Sequence, residues 1–523
     1  FYSLHSAIRE GQWFQGGSRQ AQGLGGVGRR VGRWLAGFLG QFALGILIAA
    51  PLLLPLAQFT QYATRRFLTP ADNMALALSP ARLLGLLIPD MAGYAEWIVY
   101  PGALAILMLA WVALQKKARR RDIFWIGVII VALLWALGPA IPLLPVLARL
   151  PGLNLLRVPS RALLAASLAF AVISAHGIES LLEWKPQAGK LWRDPGWALV
   201  ALTAFVVMLC AGLYGLSGSL SLEFAWGAAA AVIFTVLVLL RKAGRISPGW
   251  WGVLLLPLLV LDLGGVGFSQ FEFRPAAAVL SQKDLVVRYL ALEAAPFRVY
   301  SPSYNLPQEI AATQGVMLAD GINPLQLSAY AAFMEKASGV PMEGYSVTLP
   351  PFASGRPEVD NRAYLPDARL LGLLNVRYVV SEFELVANDL FLGARIGQTR
   401  IYRNAKALPR AWVQDPAGAI GQNIRPVAAV SLTANTVRLD AAGPGLLVLS
   451  EVDYPGWRVW VDGVEQPVQK VDGLLRGVLL DEGNHVVEFA FRSSVVYAVL
   501  GISGFTCLGL LVGVWWKRNR GRA

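Results

Sequence analysis

The chain is dominated by long apolar runs separated by short polar loops. The first extends from Trp34 to about Leu56; others lie near 98–114, 123–141, 161–182, 196–217, 224–240, 249–267 and 495–516. Crossing a hydrocarbon layer of about 30 Å takes roughly 17–25 helical residues. All eight runs fit a membrane span, with 224–240 at the short limit. Between about 268 and 493 the pattern changes. Leu285–Glu293 and Leu325–Ser338 read as helices, and Phe297–Ser301, Val376–Ser381 and Thr399–Arg403 as strands. From Asn435 the pattern becomes one of short strands. Gly445–Val452 reads as a buried strand. Val459 and Val461, like Phe489 and Phe491, alternate with polar or outward positions. Asp462-Gly463, Asp472-Gly473 and Glu482-Gly483 supply turns. A period of two with such turns predicts an antiparallel sandwich of immunoglobulin-like type, with those four side chains on its inner face.

Charge placement gives the runs a direction. Arg29, Arg30 and Arg33 precede the first run. Lys116, Lys117, Arg119, Arg120 and Arg121 separate the second from the third, and Lys185, Lys190 and Arg193 the fourth from the fifth. Arg241, Lys242 and Arg245 separate the sixth from the seventh, and Lys517, Arg518, Arg520 and Arg522 follow the eighth. Every second loop is basic, which marks those loops as cytoplasmic. The expected organisation is a cytoplasmic Gly/Arg-rich loop (1–33), a transmembrane core (34–267), an extracytoplasmic α/β region (268–434), an extracytoplasmic β-sandwich (435–493), and a last span with a basic tail (494–523). The fold class is a polytopic α-helical membrane protein of about eight spans carrying an extracytoplasmic α/β plus β-sandwich domain.

Composition agrees. Apolar residues make up 55% of the chain and charged residues 15%, against about 25% charged in soluble domains. The net charge of +13 would suit nucleic acid, but its confinement to short loops points to topology instead, and no nucleic-acid partner is expected. Cys210 and Cys507 sit in apolar runs and build neither a disulfide framework nor a metal motif. No Walker loop, GxSxG elbow, HExxH helix or CxxC pair occurs, so nucleotide hydrolysis, serine hydrolysis and zinc chemistry find no support. The chain starts at Phe1 with no signal peptide in its first thirty residues and reads as a fragment of a longer protein.

Several stretches resemble the bacterial YfhO-like membrane proteins, placed among the GT-C-type, lipid-sugar-using glycosyltransferases. They are DGINPLQLSAY (320–330), LLGLLNVRYVVS (370–381), IYRNAKALPRAWV (401–413), LVLSEVDYPGWRVWVDGVEQPV (447–468) and RGVLLDEGNHVVEFAFR (476–492), with APLLLPLAQFTQYATR (50–65) and the stretch 150–181 in the apolar part. The resemblance implies a membrane glycosyltransferase in the bacterial cytoplasmic membrane. It would transfer a sugar from a polyprenyl-phosphate-linked donor to an extracytoplasmic envelope glycan or polymer. Membrane lipid, the lipid-linked donor and the glycan acceptor are the partners so implied. A divalent cation is compatible with the reaction; no metal ligand set is assigned. The resemblance also implies that the principal catalytic acid lies upstream of Phe1.

A transferase of this kind needs a base for the acceptor hydroxyl and cations for the donor phosphate. The loop between the first two runs holds Asp72, Arg65, Arg66, Arg82, Asp90 and Glu96. Asp90 and Glu96 are the candidate bases, and Arg65 and Arg66 candidate phosphate ligands; the plainer alternative is a hydrated interfacial loop. Arg157 and Arg161, in LLRVPSR, run against the charge trend and are the leading candidates for donor phosphate, with snorkelling to lipid headgroups as the alternative. Asp262, inside the seventh run, is a further candidate. His176 and His485 read as packed rather than catalytic. Tyr454, Trp457 and Trp460 read as sandwich core before sugar platforms. A different class stays open: a non-catalytic envelope protein whose outer domain binds glycan or a partner protein. A transporter fits less well, since no pair of broken spans mirrors across two halves.

Overall fold

The computed structural model describes residues 24–89, 94–150, 153, 156–183, 195–217, 222–281, 283–293 and 296–520. The main helices are α1 (Leu24–Tyr62), α2 (Ala103–Leu114), α3 (Lys116–Ala136), α4 (Leu163–Leu182), α5 (Pro195–Ser217), α6 (Leu222–Lys242), α7 (Pro248–Phe268), α8 (Ser328–Ser338), α9 (Ala368–Leu373) and α10 (Ser494–Arg520). Among the described residues, α1, α4, α5, α6, α7 and α10 are long and apolar enough to cross a membrane. Six such helices thus occur among the described residues, where eight spans were expected.

Two runs fall short for local reasons. The run 98–114 is helical only from Ala103, because Gly102 sits at φ +96° and the residues before it are not helical. A Cβ at Gly102 would come within 3.0 Å of Leu263, so glycine is required there. Twelve residues rise only about 18 Å. The run 123–141 lies on α3, which opens with KKARRRD and ends at Ala136. Gly138 at φ +50° and Pro139 then divert the chain. At the other extreme, α1 starts inside the stretch expected to be a loop. Residues 1–23 lie outside the described part.

The chain forms two compact units. The first is built on residues 69–274. Its core is the short helix α2, whose Leu104, Leu107, Met108, Trp111 and Val112 are all at most 2% exposed. A helix apolar all round belongs in the centre of a bundle. Gly177 of α4 packs on it, where a Cβ would meet Met108 at 3.0 Å. Asp262 of α7 pins its N-terminus, accepting from the Tyr100 hydroxyl (2.8 Å), the Ala103 amide (2.9 Å) and Trp226 Nε1 (3.2 Å).

The second unit joins α1 and α10 to a domain of three larger sheets. The grouping differs from the expected division, which placed the first span with the others. The Thr64 amide donates to the Gln326 carbonyl at 2.8 Å, and Ala63 bridges to Leu327. Ser503 Oγ of α10 donates to the Ile48 carbonyl of α1 at 2.9 Å. These bonds tie both helices to one unit.

The α/β part carries β1 (Arg298–Tyr300), β2 (Met317–Leu318), β5 (Val376–Ser381), β6 (Leu390–Ile396) and β7 (Thr399–Asn404) in the order β2-β1-β5-β7-β6. The first three are parallel neighbours and the rest antiparallel. A small ribbon, β3 (Gly321–Ile322) with β4 (Thr348–Leu349), stands apart. The sandwich pairs two sheets. One is β10-β11-β17-β13-β14, with β10 Ala429–Leu432, β11 Thr436–Ala442, β13 Trp457–Val461, β14 Val464–Gln466 and β17 Asn484–Phe491. The other is β15-β16-β12-β8-β9, with β8 Ala411–Gln414, β9 Arg425–Val427, β12 Gly445–Val452, β15 Gln469–Val471 and β16 Leu475–Leu480. Val459 and Phe489 face each other across β13 and β17 and are fully buried; Val461 and Phe491 are half-buried. Asp462-Gly463 and Asp472-Gly473 take positive φ at both positions, as tight hairpins of that twist require. The sandwich begins at Ala411 rather than 435, because β8 and β9 complete its second sheet.

Candidate functional site

In the first unit, the two arginines singled out by charge sit at one turn, Arg157 before it and Arg161 within it. Pro159–Ala162 is a single tight helical turn leading into α4. Val158, between the arginines, is held at φ +62° and is 3% exposed. A β-branched residue in that region, directly before proline, is strained twice over. Strain of this kind is retained where surrounding contacts over-determine it. Here the Val158 amide donates to the Asn73 carbonyl at 3.2 Å.

Arg161 donates from both Nε (3.1 Å) and Nη2 (2.7 Å) to Glu96 Oε1. Glu96 stands on the turn Ala95–Trp97, and its Oε2 is buried without a hydrogen-bond partner. Arg161 itself is 63% exposed. Arg157 Nε reaches the Asp72 carbonyl at 3.4 Å. The Asp72 side chain caps the helical turn Pro70–Asn73, accepting from the Thr69 amide (2.8 Å) and hydroxyl (2.7 Å). Arg82 lies over the Trp97 ring at 4.4 Å. The structure thus brings together Glu96, Arg157 and Arg161, and gives Asp72 and Arg82 structural tasks.

Both arginines line an apolar groove of about 780 Å³. Its long wall is α3 from Ile123 to Trp135, with Gly127 and Val131 between, and Leu156 and Ala165 complete it near the arginines. Thirteen residues of helix make that wall about 20 Å long. A groove with an apolar wall and guanidinium groups at its end suits an amphiphile with an anionic head.

The remaining expected residues lie elsewhere. Asp90 falls outside the described residues. Arg65 and Arg66, on the turn Thr64–Phe67, belong to the second unit, so they are not part of the unit that holds Arg157 and Arg161. Asp262 is occupied as the anchor of α2. Tyr454 packs on Phe59, Tyr62 and Phe491, and Trp457 on Phe491 and beneath Arg476. Trp460 carries Arg492 on its face at 4.6 Å. His485 is bonded to Asp462 at 2.7 Å.

One pair was not legible in advance. His176 Nδ1 of α4 is 2.5 Å from Asp122 Oδ1 of α3, and Asp122 is fully buried. Arg121 joins them, pairing with Glu179 at 2.7 Å and donating to the His176 carbonyl at 3.0 Å. The sequence signal is the lone acid that closes KKARRRD, opposite a His and a Glu three residues apart on one helix. No group of three or more potential metal ligands occurs among the described residues. The chain matches no model of a known protein family, no curated protein and no solved structure.

Proposed function

We propose that this chain is a membrane glycosyltransferase of GT-C type that takes its sugar from a polyprenyl-phosphate-linked donor in the bacterial cytoplasmic membrane. The observation that supports this most is the apolar groove along α3 that ends at Arg157 and Arg161. In this reading the isoprenoid chain lies against α3 and the phosphate is held by the guanidinium groups. An acceptor hydroxyl attacks the anomeric carbon and gives its proton to a carboxylate base, for which Glu96 is the candidate, while the sugar–phosphate bond breaks and the lipid phosphate leaves with its charge held by the arginines. Glu96, bonded to Arg161, is the carboxylate beside that leaving group. The β-rich domain faces away from the cytoplasm, as the alternation of basic loops suggests, and the acceptor is an envelope glycan or polymer.

A binding-only envelope role is the second reading. It is favoured by the engagement of Glu96 with Arg161, because a binder needs no unengaged base.

The test is transfer and donor binding by the full protein in membranes, compared at matched abundance. Alanine at Arg157 or Arg161 is expected to weaken donor binding about ten- to a hundredfold, given about 1.5–3 kcal/mol for each charge-assisted bond. Arg157→Lys should restore only part of it, since lysine lacks the planar fork. Unchanged binding in the double alanine variant would reject the donor role and leave interfacial anchoring. Intact donor binding without any transfer would favour the second reading.

A further inference from the structure

A second groove, of about 570 Å³, lies within the first unit and shares no lining residue with the groove along α3. Its walls are mostly apolar, with Leu84, Leu213 and Phe224 among them. Among the described residues its charged members are Arg82 and Glu223. Its volume falls within the range of small-molecule sites, about 300–1,000 Å³.

The groove is built at the ends of two helices. Leu213 stands about one turn before the end of α5, and Glu223 and Phe224 lie in the first turn of α6. Both helices are long and apolar enough to cross a membrane, so their ends lie where hydrocarbon gives way to headgroups. Arg241 and Lys242 close the other end of α6, so this end is the one away from the basic loops. The floor includes Ile88 and Pro89, pressed onto α6 at Gly227. A Cβ on Gly227 would meet the Leu87 carbonyl at 3.1 Å and Pro89 Cδ at 3.3 Å. Beneath, Ile88 packs with Val206, Cys210 and Ala231. This close approach carries the preceding turn, Pro80–Leu86, and with it Arg82, to the groove that Glu223 lines.

The two charges are held differently. Arg82 lies over the Trp97 ring at 4.4 Å, and the ring is itself pinned by Nε1 donating to the Leu76 carbonyl at 3.0 Å. Stacking uses the flat face of a guanidinium, whereas its N–H donors lie in the plane. Glu223 is half-buried, and its carboxylate has no hydrogen-bond or ion-pair partner among the described residues. A carboxylate set among apolar walls gains most from a cation brought to it. A ligand that answers both charges carries an anionic and a cationic group, and one that answers the walls carries hydrocarbon. A purely anionic lipid would bring like charge to Glu223, and a simple cation would do so to Arg82. An aminophospholipid has a phosphate, a primary ammonium that donates hydrogen bonds, and acyl chains.

We propose that this groove is a binding site for an aminophospholipid of the phosphatidylethanolamine type. Arg82 holds the phosphate, Glu223 accepts from the ammonium, and Leu84, Leu213 and Phe224 line the path of an acyl chain. The lipid would clamp the turn Pro80–Leu86 to the start of α6. The site depends on neither functional reading given above.

The test is native mass spectrometry of the full chain in detergent, titrated with phosphatidylethanolamine, phosphatidylcholine or phosphatidylglycerol of identical acyl chains. Phosphatidylethanolamine is expected to bind most tightly, because the choline ammonium has no proton to donate and glycerol has no charge. Glu223→Gln should lower its affinity about tenfold, to the level of phosphatidylcholine, as loss of one charge-assisted bond implies. Arg82→Gln should weaken all three lipids about tenfold, since the phosphate is common to them, and it carries the test should Glu223→Gln fail to fold by circular dichroism. Soluble glycerophosphoethanolamine, the headgroup without its chains, should not displace the lipid. Equal affinity for the three lipids, wild-type affinities in either folded variant, or displacement by the soluble headgroup would overturn the proposal. None of these readouts involves sugar transfer or the lipid-linked donor, so the outcome is independent of the transferase test.

Discussion

Asp262 and Asp320 are buried to a similar degree, 3% and 9% exposed, yet they are provided for very differently. Asp262, in the helical unit, receives a phenol, an indole and a backbone amide at the start of a helix. Asp320, in the β-rich unit, receives one backbone amide and keeps one oxygen bare. A carboxylate taken out of water must have its hydration replaced. Where the protein replaces it fully, the acid is a structural pin, even inside a helix apolar enough to cross a membrane, where an ionisable residue would first be read as functional. Where the replacement stops halfway, the acid is suited to a ligand or a proton.

The sharpest way to break this contrast is pH. Asp320 has an unfolded value near 3.8 and a folded value of about 7. Between those values the folded state binds the extra proton, so stability must fall as pH rises from about 4 to about 7 and level off above. The span corresponds to on the order of 4 kcal/mol. Hydrogen exchange of the Val376–Ser381 amides, corrected for the intrinsic rate, should report it, and Asp320→Asn should flatten the slope. A flat profile in the parent chain would mean that Asp320 is as well provided for as Asp262.

Asp262→Asn should cost about 2–3 kcal/mol, since its amide nitrogen cannot accept the bonds the second carboxylate oxygen receives. Thermal unfolding of the detergent-solubilised protein measures it. Loss of transfer at unchanged stability would instead make Asp262 a functional acid. A smaller effect, about 1–2 kcal/mol, is expected for Trp226→Phe, which removes one of three donors and leaves the other two in place. An effect as large as that of Asp262→Asn would show that the indole, rather than the charge, holds the anchor.

Much of the architecture could be read from pattern, and the failures have identifiable causes. The strands Val376–Ser381 and Gly445–Val452 were bounded correctly because apolar runs end there in turns. The start of the sandwich was missed because all four residues of β8 are buried, so the strand shows no alternation. The short helix α2 was overestimated because hydropathy cannot see Gly102 at positive φ. Arg157 and Arg161 stood out against the charge trend. The partner of Arg161, Glu96, lies 65 residues away in sequence, beyond any local rule. Asp320 was hidden by its neighbour: Asp-Gly reads as a turn, and nothing in the string distinguishes a solvated turn acid from a buried one.

The bond from Ser503 Oγ to the Ile48 carbonyl joins positions 455 residues apart. During synthesis, α1 leaves the ribosome long before its partner α10 exists. Everything between them must be made while α1 has no α10 to pack on. The second unit can therefore close only after its last helix is inserted, which makes it a late-assembling structure with a long-range final contact. Any chaperone or insertase that holds unpartnered apolar helices would have its longest task here.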